Sequence, residues 1–264
     1  MSAKGQSRRL GTGTPARPAS WPSKVLALAS NELRLAMRRG ESLLITFAIP
    51  VGVLLVFSAI DVSGGTASGT PVERMLPGSM SLAVIGAAMV SLGIATAFER
   101  SYGVIKRLGG SPAGTSAIVA SKTVAVILIE AVQMLLLVLI ATGIGWSAGA
   151  TASLPLVVLG LVLGTVAFAG LGLLMAGTMR AEATLALANL LFLLSLVLGG
   201  IVLPLDRLPS AVAAASALLP PAALTQLLAI GLGGVTGDAG EPTVVLAVWA
   251  VLLAGLAARK FRWD

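Results

Sequence analysis

Apart from Lys122 and Glu130, charge in this chain lies outside its long apolar runs, and that arrangement restricts its fold more than any other feature. Six runs follow an opening polar segment: Leu43–Ile60 with Pro50 inside it, Met75–Phe98, Ile118–Ile140, Leu154–Thr178, Ala183–Leu203 and Thr243–Ala258. The first five reach the ~17–25 residues a helix needs to cross hydrocarbon, and the last, the shortest, comes within one residue of it. Only 11% of the 264 residues are charged, against about 25% in a soluble domain. The expected fold is an all-α integral membrane protein of six transmembrane helices.

The sequence has no His and no Cys. Imidazole acid/base catalysis, thiolate catalysis, disulfides and the usual zinc sites are therefore excluded. No catalytic, cofactor-binding or metal-binding residue is expected. Gly11–Ala16 matches the dinucleotide pattern G-x-G-x-x-A, but no strand precedes it and Pro15 interrupts it. Ser121-Lys122-Thr123 resembles the end of a Walker A loop. Ser121 and Ser116 stand where that loop needs glycines, and the segment leads into a span.

Two parts are expected: a disordered basic tail over residues 1–20 and a membrane domain over residues 21–264. Within the domain, Lys24–Arg39 reads as an amphipathic helix. Val25, Leu26, Ala29, Leu33, Ala36 and Met37 fill one arc and Lys24, Ser30, Asn31, Arg34 and Arg38 the opposite one, with Glu32, Leu28 and Leu35 at the edges. Such a helix before a span lies in the membrane interface. The first span starts too late and runs too long for a cleaved signal peptide.

Lys and Arg set the orientation. With the N-terminus inside, the tail and surface helix, the segment after span two, Arg180, and the C-terminal Arg259, Lys260 and Arg262 are all cytoplasmic. Of the 18 basic residues only Arg74 and Arg207 are then outside, where Asp61, Glu73, Asp206, Asp238 and Glu241 also lie. Both termini are expected in the cytoplasm. Between spans five and six, about 208–234 forms external helices, with Ser210–Leu219 and Ala222–Leu232 split by Pro220-Pro221. Each is too short to cross, so each dips into the outer half of the membrane or packs on the ends of other spans.

Two groups of polar residues stand out. Phe98–Pro112 is a polar island between spans two and three. Glu99, Arg100, Lys106 and Arg107 bracket Tyr102, Ile105 and Leu108, whose spacing of three places them on roughly one face of a short helix, about 99–110. Such a helix can lie at the membrane surface and press on a partner. Glu130 and Gln133 share a face near the middle of span three. A charge at that depth costs about 3 kcal/mol on insertion scales. Both should face the bundle interior or another subunit, as a substrate contact or as a polar clasp between helices. The glycines of span four, starting with Gly160-x-x-x-Gly164, make a small-residue face that could pack within the chain or against a copy.

These features together resemble the membrane subunits of type 2 ABC exporters, in particular the antibiotic-resistance and daunorubicin-exporter-like permeases. The resemblance rests on three features: the amphipathic helix before span one; Glu99-Arg100 … Gly103 … Lys106-Arg107-Leu108 … Ser111-Pro112 after span two; and the prolines at Leu203-Pro204, Leu208-Pro209 and Leu219-Pro220. It implies that the helix after span two is a coupling helix seated in a groove of a separate ATPase subunit. Tyr102, Ile105 and Leu108 would dock there, with Glu99, Arg100, Lys106 and Arg107 fixing the contact. ATP and Mg would bind the partner, not this chain. The resemblance further implies two six-span permeases, identical or related, in contact with membrane lipid in a bacterial cytoplasmic membrane. No nucleic acid is implied. The apolar spans suit a drug-like, lipophilic or amphipathic substrate. The alternative is a proton- or cation-coupled secondary transporter that uses Glu130; it gives the polar helix no task.

Overall fold

The structure is a computed structural model that describes residues 20–38, 40–60, 69–109 and 114–261. The expected disordered tail lies outside the described residues except for Ser20. Ten α-helices follow one another, with no strand among the described residues. They are α1 (Trp21–Arg38), α2 (Gly40–Ile60), α3 (Pro71–Ser101), α4 (Val104–Gly109), α5 (Gly114–Gly143), α6 (Leu154–Thr178), α7 (Ala181–Leu198), α8 (Ser210–Ala217), α9 (Pro220–Gly231) and α10 (Gly240–Lys260). Five of them, α3, α5, α6, α7 and α10, are long and apolar enough to cross a membrane, and Leu44–Ile60 of α2 is a shorter apolar helix. A helix lies at each of the six predicted spans.

Helix α3 is the central one. Pro71 starts it, and Thr70 and Glu73 form a reciprocal cap: Glu73 N–H donates to Thr70 Oγ1 (3.4 Å) and Thr70 N–H to Glu73 Oε2 (2.9 Å). Its middle, Ile85–Ser91, is wound as a π-helix. Leu76, Leu82, Val84, Ile85 and Met89 of α3 are buried among α2, α6, α7 and α9.

The glycines of α6 are used inside the chain. A Cβ on Gly172 would lie 2.7 Å from the Met89 carbonyl oxygen of α3, and one on Gly170 would lie 2.7 Å from the Ala254 nitrogen of α10. Gly160 and Gly164 take Leu227, Leu228 and Leu224 of α9. With no hydrophobic drive between helices in lipid, close packing of this kind holds a bundle together. Between the two packing modes considered for this face, the structure favours the intramolecular one.

Helices α8 and α9 meet at a bend of 77°. Helix α9 is inserted among α3, α6 and α10 with Ala223, Leu224, Leu227 and Leu228 buried, and Thr225 Oγ1 donates to Ser81 Oγ (3.1 Å). Trp249 Nε1 of α10 donates to the Leu218 carbonyl (2.8 Å) and fixes the bend.

Three predicted boundaries are corrected. The fifth span ends at Leu198, not Leu203, because Gly199 and Gly200 end it, Gly200 at φ +65°. The last helix is longer than its hydropathy indicated and runs Gly240–Lys260. The polar helix expected over about 99–110 is two pieces: α3 continues through Ser101, the chain turns at Tyr102-Gly103 with Gly103 at φ +69°, and α4 begins at Val104. Only glycine holds that φ without strain.

Candidate functional site: the corner between α3 and α4

Helix α5 has 30 residues and so spans about 45 Å, well beyond the ~30 Å of hydrocarbon. Its first turns therefore extend past the hydrocarbon at one end. Helix α1 packs along that end, and the α3–α4 corner sits beside it. Val25 and Ala29 are the buried residues of α1, while Leu26 and Met37, predicted on the same arc, are exposed. One side of the apolar arc packs on α5. The other is left for the membrane interface, and the helix satisfies both contacts at once.

Lys122 of α5 is the fixed point. Its Nζ lies 2.9 Å from Glu32 Oε1 of α1 and 2.7 Å from Glu99 Oε2 of α3. Glu32 sits at the edge of the apolar arc because it reaches this buried ammonium. One lysine thus joins the surface helix, the end of span two and the start of span three. Neighbouring Arg100 points the other way. Its Nη1 donates to the Gly177 carbonyl and its Nη2 to the Met179 carbonyl, both at 2.6 Å. These carbonyls lie at the C-terminus of α6, where they have no intrahelical donor and the helix dipole favours a cation.

The predicted docking residues separate. Tyr102 is 71% exposed and stacks loosely on Phe98, with ring centroids 6.1 Å apart. Ile105 is 2% exposed, turned into the bundle. The side chain of Leu108 lies outside the described residues. The break at Gly103 resets the helical phase, so the spacing of three does not put Tyr102 and Ile105 on one outward face. Lys106 and Arg107 are exposed.

Glu130 and Gln133 are buried deep in the bundle. Thr165 Oγ1 of α6 lies 2.6 Å from Glu130 Oε2 and 2.8 Å from the Leu161 carbonyl. A hydroxyl has one proton, so both contacts are hydrogen bonds together when the carboxyl supplies a second. Gln133 Nε2 donates to the Thr46 carbonyl of α2 (3.0 Å). Pro50, four residues after Thr46, has no N–H to offer it. Span three is thus bonded to span four and to span one through two neighbouring polar side chains.

Two cavities lie on either side of Lys122. One, of about 610 Å³, runs between α1, α2, α3, α5 and α7 and is lined by Glu32, Thr46, Ser91, Glu99, Tyr102 and Asn189, among others. The other, of about 400 Å³, lies between α3, α4, α5, α6 and α10.

The profile of one family, the ABC-2 type transporter, matches residues 23–232. That covers most of the chain, from the surface helix through α9. The chain belongs to the ABC-2 type transporter family. It is therefore an ABC transporter permease and a multi-pass membrane protein. Members of this family are transmembrane subunits, normally non-catalytic, and work in general with an ABC ATPase. No curated protein matches the sequence. Membership leaves the secondary-transporter alternative without support, and the Thr165 contact gives Glu130 a partner within the permease fold.

Sequence reasoning missed Lys122, Thr165, Thr46 and Glu32 as parts of the site. In the sequence Lys122 belongs to a discounted Walker A likeness and to the cytoplasmic charges, and neither reading gives it a partner. Its signal was Glu32: a carboxylate at the edge of an apolar arc needs a cation facing it.

Proposed function

We propose that the chain is the membrane half of an ATP-driven exporter in a bacterial cytoplasmic membrane, with both termini inside and the α3–α4 corner receiving the motion of an ATPase subunit. The support is mechanical. Glu99 and Arg100 are consecutive, and they bond to different helices: Glu99 to Lys122, and through it α1, and Arg100 to the end of α6. A force applied at Tyr102 would pass directly into three membrane-facing elements. Exposed Tyr102, Lys106 and Arg107 are the surface offered to the ATPase; tyrosine and arginine are favoured anchors at interfaces.

The 610 Å³ cleft is the proposed substrate entrance. Its apolar walls with a few polar groups, Asn189 of α7 among them, suit an amphipathic, drug-like molecule. Asn189 is exposed along α7. An amide facing lipid is poorly placed, and a second permease meeting α2 and α7 would cover it. The working unit is then a dimer of permeases with two ATPase subunits.

The test is co-expression of the tagged chain with a candidate ABC ATPase subunit from the same genome. The wild type should retain the ATPase through purification and drive ATP-dependent accumulation of lipophilic dyes in inverted vesicles. Tyr102→Ala combined with Arg107→Glu should lose the ATPase and leave membrane insertion intact. Full retention by that variant would overturn the assignment of the corner.

A further inference from the structure

The 400 Å³ cavity has no part in the proposed export route, from which Lys122 and Leu92 wall it off. Its lining is almost wholly apolar, with Ile105, Ile118, Leu173, Ala258 and Phe261 among it. Val119 and Val166 stand at its open edge, each about two-fifths exposed on the outer surface of α5 and α6. The hole thus opens between spans onto the bundle's side, where the neighbouring medium is lipid. The volume lies in the range that holds a drug-sized apolar group. Thr96 Oγ1 faces it without a hydrogen-bond partner among the described residues.

Charge is arranged around one end of this hole. Lys106 and Arg107 directly follow the lining residue Ile105, and Arg259 and Lys260 stand between the lining residues Ala258 and Phe261. All four are exposed, and none has an ion-pair partner among the described residues. Neither α4 nor the last turn of α10 carries an acid. Lys122 does not supply this charge, because its ammonium is taken by Glu32 and Glu99 on the far side.

We propose that this cavity lodges an acyl chain of an anionic phospholipid, whose phosphate is held by Arg259 and Lys260 beside Lys106 and Arg107. Basic pockets between transmembrane helices recognise anionic head groups in this way. The apolar depth selects a lipid over a free phosphate, and the rim selects an anionic lipid over a zwitterionic one. Lys106 and Arg107 are shared with the surface offered to the ATPase, so the test rests on Arg259 and Lys260, which neither that surface nor the cleft beside α7 uses.

The test is native mass spectrometry of the delipidated full chain offered phosphatidylglycerol or phosphatidylcholine. Wild type should bind one phosphatidylglycerol with about a tenfold preference. Ala258→Trp fills the slot from an exposed position and should abolish that bound lipid. Arg259→Glu with Lys260→Glu should keep lipid binding but lose the preference. Glycerol 3-phosphate should not displace the lipid. Equal binding of the two lipids by wild type, an unchanged preference in the charge variant, or displacement by glycerol 3-phosphate would each overturn the proposal. So would phosphatidylglycerol binding by a monodisperse Ala258→Trp at the wild-type level. If Ala258→Trp is not monodisperse, the charge variant decides alone.

Discussion

Gln133 of α5 donates its side-chain amide to the carbonyl of Thr46, whose usual helical donor would be the N–H that Pro50 lacks. A carbonyl stranded in hydrocarbon is costly, so a proline in one span is matched by a glutamine in another. Gln133→Leu should lower stability by about 1–2 kcal/mol. Pro50→Ala restores the N–H and should remove most of that cost in the double variant. Thermal melts of the four proteins in detergent check this; the same loss from Gln133→Leu in both backgrounds would disprove the link.

Lys122 neutralises two carboxylates that come from different helices. Lys122→Met should leave both facing each other, at a cost near the lower end of the ~3–5 kcal/mol for breaking a buried pair. The triple variant with Glu32→Gln and Glu99→Gln should regain most of the loss. Protease resistance of α1 in detergent is a direct readout, because α1 should release from α5 in the single variant only.

Tyr102 and Ile105, three residues apart, should now behave in opposite ways. Ile105→Asp places a carboxylate inside the bundle and should destabilise the permease by about 2–5 kcal/mol. Tyr102→Ala alters an exposed side chain and should change melting by no more than about 0.5 kcal/mol. Any effect of Tyr102→Ala on ATPase binding is then an effect on contact, whereas an effect of Ile105→Asp is not.

Glu130→Gln keeps a hydrogen-bonding group beside Thr165. As a clasp between spans three and four it should melt like the wild type and transport alike at every pH tested. Glu130→Leu removes the bond and should melt lower, by about 1 kcal/mol. A Glu130→Gln permease that assembles normally but changes its pH profile would make Glu130 a proton site instead.

The spans were legible because hydropathy and length act locally. Leu154–Thr178 was bounded to the residue, since a proline opens it and a polar Met-Arg turn closes it. The helix phase after Ser101 was not legible: Gly103 could have been an ordinary helix residue, and only the tertiary fold puts it at positive φ. The partner choices of Lys122, Arg100 and Gln133 were illegible for a different reason. The Arg100–Gly177, Lys122–Glu32 and Gln133–Thr46 bonds join residues 77, 90 and 87 apart, and periodicity carries no information at that distance. Pro50 and Gln133 were each noticed in the sequence, but nothing in it joined them.

The glycine face of α6 shapes the outside of the protein as well as the inside. Because Gly170 and Gly172 are spent on α10 and α3, a neighbour in the plane of the membrane meets branched side chains instead: Leu190, Leu193 and Val197 on α7, Ile45, Ile49 and Val56 on α2. Backbones in direct contact are keyed to one register. Leucine and valine tips against one another are not, and they can roll and re-seat at nearly constant dispersion energy. The chain is therefore stiff along its internal seams and slippery at its flanks, the division of properties a subunit needs if it is to move as a block against a neighbour.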